Sequence, residues 1–253
     1  MLARLTHGAD AVVHLASRTG VRSTAPDIER LRERDIVIAT DHVLAAVPAG
    51  VPLVVASSSS VYGGAQVVGG RLRASRESDA LRPRGGYARA KARMESRAHG
   101  RVDAGGRLAV VRPFTVVGEG QRDDMALATW IEQARLGLPL RVLGSLDRRR
   151  DLTDVRGVVD AIVALVDSGR TGTYNLGSGR PRTLAEMIEA VQRVVGTAGP
   201  VSVVEASTEE VPATFADSSL LRTTFGLDLG TDLDDVVERQ LRWVVDDATA
   251  SVA

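Results

Sequence analysis

The chain has 253 residues, of which 44% are hydrophobic, so it is long enough to bury a large core in one or two domains. Its formal net charge is zero, so nothing in its charge favours a nucleic acid or a membrane surface as a partner. It has no cysteine, which excludes disulfide bonds and thiolate chemistry. No secretory leader and no apolar run of membrane-spanning length is recognisable, and we expect a cytoplasmic protein.

Apolar, β-branched runs alternate with amphipathic stretches in the first half of the chain, as in β-α units around a parallel sheet. The pattern predicts strands at 10–16, 51–56 and 108–111, helices at 26–47 and 86–104, and a loop rich in glycine and arginine after residue 62. In the second half it predicts helices at 125–136 and 155–166, and strands at 140–143 and 172–176. Thr183 and Glu186 fit a capping box at the start of a helix that reaches Val195, and Thr231 or Asp232 caps a last helix that reaches Trp243.

The basic side chains include a single lysine, Lys91, which lies four residues after Tyr87, one of only three tyrosines. Positions i and i+4 of a helix share a face, so the two side chains are expected one turn apart. A phenol titrates near pH 10, and a cation within about 4–6 Å favours the phenolate. Such a pair can move a proton on or off a carbinol while a hydride leaves the same carbon. The same spacing is also typical of an ordinary exposed helix pair.

Two motifs at predicted strand ends accompany this pair. Four serines at 57–60 follow the second strand and lead into Val-Tyr-Gly at 61–63, and Arg-Pro-Phe at 112–114 ends the third strand. A serine hydroxyl at the end of a neighbouring strand can bond the same substrate oxygen as the tyrosine. The serine run therefore favours a functional role for the tyrosine and lysine.

In these motifs and their order the chain resembles the extended short-chain dehydrogenase/reductase family, in particular its NAD-dependent nucleotide-sugar epimerases. The resemblance extends from the strand at 10–16 to an Asn-Leu-Gly-Ser-Gly turn at 175–179. It implies an α/β fold: a partial Rossmann-type doubly wound parallel sheet, with a smaller mixed α/β substrate domain. We predict a truncated dinucleotide-binding domain with the catalytic residues at 1–120. The region 121–253 is predicted to be mainly substrate-binding, with segments around 151–177 returning to the first domain.

The resemblance also implies roles for single residues. Ser58, Tyr87 and Lys91 match the catalytic residues, and the lysine also holds the nicotinamide ribose. The cofactor is NAD, with NADP left open, and its implied contacts are Leu15, Ala16, Ser57, Tyr87, Lys91, Pro113 and Phe114. A nucleotide-sugar substrate is the implied partner, and its contacts are Ser60, Thr115 and Arg150. A guanidinium can clamp a diphosphate in a bidentate manner, although a solvated charge is the alternative for Arg150. No metal site is implied.

Members of this family begin with a strand and a Gly-x-x-Gly-x-x-Gly turn that brings a helix N-terminus to the pyrophosphate. No such turn occurs in this sequence. We expect that the first β-α units are missing, through a misplaced start, a cloned fragment or a decayed gene. On that expectation the chain by itself binds NAD weakly or not at all.

The function that the resemblance implies is NAD-dependent epimerisation at C4 of a UDP-hexose or a related nucleotide sugar, through a 4-keto intermediate. Dehydration is disfavoured, because dehydratases of this family carry Asp-Glu where this chain has Ser59 and Ser60. A keto-sugar reductase is a second hypothesis, and a truncated, non-catalytic remnant or partner subunit is a third. The resemblance further implies a homodimer through the helices at 27–47 and 86–104.

Overall fold

The computed structural model describes residues 2–20, 25–206 and 210–250, with the last four side chains of helix α9 not described. The first half of the chain consists of α1 (Leu2–Thr6), β1 (Val12–His14), α2 (Ile28–Arg32), a π-helical segment (Glu33–Ile38), α3 (Ala39–Ala46), β2 (Leu53–Ala56), a 3-10 turn (Ser59–Tyr62), β3 (Gln66–Val68), β4 (Arg71–Arg73), α4 (Gly85–Asp103) and β5 (Leu108–Pro113).

The second half alternates short strands with longer helices. It consists of β6 (Thr115–Val117), α5 (Ala126–Arg135), β7 (Leu140–Leu143), β8 (Arg149–Arg150), β9 (Leu152–Asp154), α6 (Val155–Ser168), β10 (Gly172–Leu176), β11 (Arg182–Thr183), α7 (Leu184–Val195), β12 (Val201–Val204), α8 (Ser219–Phe225) and α9 (Leu233–Ala250).

A four-stranded parallel sheet with strand order β1-β2-β5-β10 forms the centre of the described fold. Alternate residues of a strand point to opposite faces, and in β2 both sets are apolar. Leu53 and Val55 pack with α3 and α4 on one face, whereas Val54 packs with α6 and α8 on the other. Helices on both faces explain why the strands are continuous apolar runs rather than alternating ones, and they confirm the doubly wound α/β prediction.

The helix predicted at 26–47 is interrupted by the π-helical segment between α2 and α3. A π-helical turn carries one residue more than an α-turn and is often found near functional sites. Thr40, the second residue after the π-helical segment, donates its hydroxyl hydrogen to the Ile36 carbonyl at 2.7 Å. Hydrophobic periodicity does not register such a bulge, because the apolar residues continue on one face across it.

The predicted loop after residue 62 is wrong, since it contains the antiparallel hairpin of β3 and β4. Gly69 and Gly70 form its two-residue turn with positive φ values of 57° and 76°. Two successive left-handed residues suit a tight hairpin, and only glycine adopts them without steric cost. The Gly-Gly pair was the available signal for this hairpin.

The second half has its own core between α5, α7, α9 and β7, centred on Trp130, Ile131 and Met187. The capping box predicted for α7 is present in full, because Thr183 and Glu186 bond each other's backbone amides. The short strands pair as β6 with β9, β7 with β12, and β8 with β11. From the segment 151–177, strand β10 is the last strand of the main sheet and helix α6 packs on one face of that sheet. The division into two domains near residue 120 stays a prediction.

Among the residues that the structure describes, no helix is long and apolar enough to cross a membrane. The same residues contain no group of three or more His, Cys, Asp or Glu side chains arranged to hold a metal ion.

A buried ion pair joins strand β5 to helix α4. The Arg112 guanidinium donates to both carboxylate oxygens of Glu95, with Nε–Oε1 at 3.0 Å and Nη2–Oε2 at 2.6 Å, and the side chains are 4% and 1% exposed. Arg112 also donates to the Tyr62 hydroxyl at 2.8 Å, and that hydroxyl donates to Asn175 Oδ1 at 2.7 Å. Burial opposes the charge of Arg112, but its bonds with Glu95 raise the pKa of the guanidinium above its ordinary value.

We expect Glu95→Ala to lower the free energy of unfolding by about 3–5 kcal/mol, because it leaves a buried guanidinium without its counter-charge. Urea unfolding followed by circular dichroism measures this change. Glu132→Ala is the matched control, since the Glu132–Arg135 pair is exposed and contributes less than about 1 kcal/mol. Equal effects of the two substitutions would contradict the structural importance of the buried pair.

Candidate active site

The three strands β1, β2 and β5 run parallel, so their carboxyl ends meet at one edge of the sheet. The chain leaves β1 through Leu15 and Ala16, which are exposed, and leaves β2 through Ser57, which is buried. Strand β5 ends at Pro113 and leads into Phe114. In open parallel sheets, ligands bind at this edge, and the predicted cofactor contacts all lie along it.

The serine run folds into a short 3-10 turn whose N-cap is Ser58. The Ser58 hydroxyl oxygen accepts the Ser60 amide at 3.2 Å, which fixes the direction of the Ser58 side chain. The hydroxyls of Ser57 and Ser60 are buried and have no hydrogen-bond partner among the described residues. A buried polar atom without a partner is costly unless a ligand satisfies it.

Tyr87 lies in the first turn of α4, half-buried. The helix begins at Gly85, whose φ of +75° lets the chain turn sharply into it. The Tyr87 hydroxyl and the Ser58 side chain are near enough for Ser58 to lower the pKa of the phenol, so the two predicted catalytic groups lie close together at the end of β2. Burial raises the pKa of the Tyr87 phenol above its ordinary value, while Ser58 and the positive charges of Arg122 and Arg32 lower that pKa in part.

Lys91 lies one helical turn after Tyr87 and is buried, with 3% of its surface exposed. Its ammonium donates to the Ala56 carbonyl at 2.7 Å, at the end of β2. Burial lowers the pKa of Lys91 to about 8, and the negative charge of Glu95 counteracts this shift in part. The lysine therefore faces the strand end where a ribose is predicted.

The cations that act on Tyr87 differ from the expected one. Arg122 and Arg32 are the two cations among the described residues that lower the pKa of Tyr87, whereas Lys91 instead lowers the pKa of His14. His14 is packed at the end of β1, with Nε2 3.1 Å from Thr40 Oγ1, and burial is the main cause of its lowered pKa. The His14 ring is therefore packed into the fold and kept neutral.

Phe114 lies under the site as an apolar surface. Its ring stacks on Tyr62 at 6.2 Å between centroids, and its amide donates to the Leu176 carbonyl at 2.9 Å. A Cβ added at Gly177 would lie 3.0 Å from the Phe114 ring and closer still to Ala216, so only glycine fits beside this ring. The Asn-Leu-Gly-Ser-Gly turn thus supports Phe114 from below.

The same turn is held by a buried carboxylate. Asp151 is fully buried and accepts the Ser178 amide and hydroxyl at 2.8 and 2.7 Å, the Gly179 amide at 3.1 Å and the Ala216 amide at 2.8 Å. Asn175 is also fully buried and donates its side-chain amide to the carbonyls of Ser75 and Asp217. These polar residues are satisfied by the protein itself, which makes them scaffold rather than ligand contacts.

The predicted substrate contacts Thr115 and Arg150 line a cavity of about 300 Å³ beside the strand ends. Arg150 donates to the Glu210 carboxylate at 3.2 Å and to the Pro212 carbonyl at 3.4 Å, and its side chain is 16% exposed. Asp124 also lines the cavity, and it forms a two-bond pair with Arg122 at 2.9 and 2.8 Å. The positive charge of Arg122 also lowers the pKa of Tyr87.

Arg122 and Arg32, whose charges lower the pKa of Tyr87, are not among the site residues predicted from the sequence. Arg122 follows a glycine-containing loop with no pattern of its own, so it carried no signal. Arg32 does carry a sequence signal, because it lies four residues after Ile28, within the apolar stripe that Leu31 and Ile36 continue. A charge at such a position predicts a buried cation.

Comparisons with known proteins show the family to which the chain belongs. The model of the NAD dependent epimerase/dehydratase family matches residues 2–177. A "Probable UDP-glucuronate 4-epimerase" of Rhizobium meliloti (strain 1021) is 27% identical over 260 residues, covering 92% of this chain and 74% of that protein. The GDP-6-deoxy-D-mannose reductase of Pseudomonas aeruginosa is 34% identical over 191 residues, covering 71% of this chain and 61% of the reductase.

A solved structure extends the match over nearly the whole chain. The structure of MoeE5 in complex with UDP-glucuronic acid and NAD is 30% identical in sequence and has a TM-score of 0.88, and the match covers 97% of this chain and 82% of MoeE5. The predicted family and the Rossmann-type fold are confirmed. The chain belongs to the NAD-dependent epimerase/dehydratase family of the extended short-chain dehydrogenase/reductases.

Proposed function

We propose that this protein epimerises a UDP-sugar at C4 with NAD, through a transient 4-keto sugar. The observation that carries the proposal is the proximity of Tyr87 and Ser58 at the carboxyl end of β2, with buried Lys91 one turn away. The MoeE5 complex with UDP-glucuronic acid and NAD and the UDP-glucuronate 4-epimerase relative support a UDP-hexuronate or UDP-hexose as substrate.

The residues at the strand ends fit the nicotinamide end of NAD. The buried Ser57 hydroxyl lacks a partner among the described residues, Lys91 offers a donor beside it, and Phe114 presents an apolar ring. We propose that Leu15, Ala16 and Pro113 complete this contact set. When bound, NAD supplies a hydride acceptor and donor for the carbon that carries the reacting hydroxyl.

Within this scheme Tyr87 takes the proton of the C4 hydroxyl and later returns it. Ser58 lies near the Tyr87 hydroxyl and can bond the same substrate oxygen, which places that oxygen within reach of proton transfer. Burial alone would make the phenolate too unfavourable, and the nearby positive charges reduce that cost. Lys91 holds the ribose and keeps the second turn of α4 against β2 through the Ala56 carbonyl.

The cavity beside Thr115 fits the nucleotide and sugar. Its lining combines apolar side chains such as Met125 and Trp130 with the guanidinium of Arg150, as a site for a base and a diphosphate requires. Thr115 and the buried hydroxyl of Ser60 are the proposed sugar contacts. Since hydroxyls replace the Asp-Glu pair of dehydratases, epimerisation fits these residues better than dehydration.

A keto-sugar reductase is the second candidate, because the 34% identical relative from Pseudomonas aeruginosa is a GDP-6-deoxy-D-mannose reductase. Net consumption of NADPH by a keto-sugar, with no interconversion of C4 epimers, would identify that activity.

The homodimer and the cytoplasmic location stay predictions. Helices α2, α3 and α4 lie side by side on one face of the sheet, and they include the segments proposed for the dimer contact. Light scattering on the purified protein tests the dimer, and a monomer at micromolar concentration would contradict it.

We expect Tyr87→Phe to lower kcat for C4 epimerisation by about 10²–10⁴-fold, because the phenol acts on a proton in flight. Affinity for the UDP-sugar should change little, since the substitution removes an interaction made mainly in the transition state. Proton NMR of the epimer ratio and calorimetry measure the two quantities. Tyr174→Phe is the control, because its hydroxyl bonds to the Thr171 carbonyl away from the site. Near-normal turnover of Tyr87→Phe would refute the proposed function.

We expect Arg150→Ala to raise KM for the UDP-sugar about tenfold or more with kcat nearly unchanged, since a diphosphate clamp acts on binding. Steady-state kinetics measures both constants. Arg149→Ala, one residue away and exposed, is the matched control. A loss confined to kcat would show that Arg150 does not act as a clamp.

We expect Lys91→Met to abolish activity and yet to stabilise the fold by about 1–2 kcal/mol at pH 7, because a buried ammonium is costly. The native pKa of about 8 lies below the ordinary 10.5, so the unfolded chain holds more protons between these values. The free energy of unfolding of the unaltered protein therefore rises between about pH 8 and pH 10.5. Over this range the difference in free energy of unfolding between the unaltered protein and the variant becomes smaller. Denaturant unfolding at several pH values checks this, and a destabilised variant at pH 7 would contradict it.

A further inference from the structure

We propose that Gln121 contacts the sugar of the nucleotide-sugar substrate through its side-chain amide, and that Gln240 of helix α9 is a positioning residue that fixes the direction of this amide. The proposal rests on the proposed function, in which the cavity beside Thr115 holds the sugar. It extends the substrate site to helix α9, which lies outside the residues 2–177 that the family model matches.

Two hydrogen bonds fix the side chain of Gln121. Its Nε2 donates to the Val116 carbonyl at 2.7 Å, and its Oε1 accepts a hydrogen from Gln240 Nε2 at 3.0 Å. A backbone carbonyl only accepts hydrogen bonds, so the nitrogen of Gln121 must face Val116 and its oxygen must face Gln240. The Val116 carbonyl therefore sets the order of oxygen and nitrogen in both amides.

Gln121 lies beside the proposed sugar contact Thr115. The two residues line the same cavity, and Gln121 is bonded to Val116, the residue that follows Thr115. Thr115 itself follows Phe114, at the edge of the sheet where the nicotinamide is proposed to bind. A side-chain amide carries two hydrogens, and Gln121 uses one of them in the hydrogen bonds of the described residues. Its second hydrogen is the donor for an oxygen of the sugar.

Gln240 lies on the face of α9 that packs into the second core. It follows Val236 by four residues and Val237 by three, both of which are fully buried, and it is itself 1% exposed. Its Oε1 is buried and has no hydrogen-bond partner among the described residues, an arrangement that lowers the free energy of unfolding. The hydrogen bond that its side chain makes among these residues is the one to Gln121, so the polar contact of Gln240 is directed to the cavity loop.

The residue before Gln240 holds the same loop at a second point. Arg239, whose side chain is 4% exposed, donates through Nη1 to the Glu119 carboxylate. Glu119 and Gln121 both lie in the loop between β6 and α5. Arg239 also pairs with Asp154 at the start of α6, so its role is shared between several elements. Within the part of the chain that the structure describes, Gln240 bonds Gln121 alone, and its effect on the loop can be tested separately.

The test is the binding of UDP-glucuronic acid measured by titration calorimetry, which requires no turnover. We expect Gln121→Met to raise Kd about tenfold, because it removes a hydrogen-bond donor to the sugar. Gln240→Met should raise Kd about threefold, since Gln121 keeps its donor but loses its fixed direction. Binding of UDP, which lacks the hexuronic acid, should stay the same in both variants. Gln192→Met is the matched control, because that side chain donates to the Gly199 carbonyl at 2.7 Å and does not line the cavity.

A double variant distinguishes positioning from structural support. If Gln240 acts through Gln121, the combination of Gln121→Met with Gln240→Met raises Kd no more than Gln121→Met alone. Gln240→Met should also leave the midpoint of urea unfolding unchanged or raise it, because the substitution removes a buried carbonyl that has no partner among the described residues. A purely structural role would instead lower the midpoint and give additive changes in Kd.

Unchanged binding of UDP-glucuronic acid by Gln121→Met, or an equal loss of UDP binding, would overturn the sugar contact. Additive changes in the double variant would overturn the role of Gln240. A Gln240→Met protein that does not fold also refutes that role, since this variant is expected to be at least as stable as the unaltered protein. Failure of the proposed function is distinct, because it appears as no binding of UDP-glucuronic acid by the unaltered protein or as retained epimerisation in Tyr87→Phe.

Discussion

The buried bond between Arg112 and Glu95 is the interaction on which the geometry of the site depends. Arg112 belongs to β5, the central strand that also leads into Phe114, and Glu95 lies one turn after Lys91 on α4. The pair therefore sets how the helix with the tyrosine and lysine lies against the strand that ends beneath them. Its further bond to Tyr62 extends the same network to Asn175 and so to the turn under Phe114. A two-bond, almost fully buried pair defines the relative position of two elements more sharply than apolar packing does.

With helix α4 placed in this way, the pKa of the Tyr87 phenol depends on the charges and hydrogen-bond donors around it. Burial raises the pKa of Tyr87, and the surrounding donors and cations limit that rise. Ser58 contributes from the end of β2, while the positive charges come from α2 and from the loop before α5. Each contribution arises from a different element, so the state of the tyrosine depends on the correct assembly of both halves of the described chain. This dependence is a physical reason why the pKa of a group can be adjusted more closely at the meeting point of several strand ends than on one helix.

Much of this architecture could be predicted from the sequence, because periodicity and motif order report on the sheet and its helices. The extent of α4, the strands at 140–143 and 172–176 and the capping box at Thr183 follow from local pattern alone, and the structure has them nearly as predicted. The hairpin of β3 and β4 was missed because its strands are only three residues long and mostly polar at the ends. The convergence of Arg32 and Arg122 on Tyr87 could not be predicted, since it depends on contacts between segments distant in the sequence. The roles predicted for single site residues stay predictions.

The buried charges among the described residues differ in how fully the protein's own hydrogen bonds and counter-charges compensate them. Asp151 accepts four hydrogen bonds from the protein, and Arg112 is neutralised by Glu95, so both stabilise the assembly that contains them. Lys91 has one carbonyl partner in the hydrogen bonds described, and burial lowers its pKa to about 8. Its burial therefore lowers the free energy of unfolding by more than its own contacts offset. Evolution retains such a group when a ligand completes its bonding, because ligand binding to the native state then offsets the cost. The buried hydroxyls of Ser57 and Ser60, which have no hydrogen-bond partner among the described residues, carry a similar uncompensated cost close to the end of β2 where Lys91 bonds Ala56.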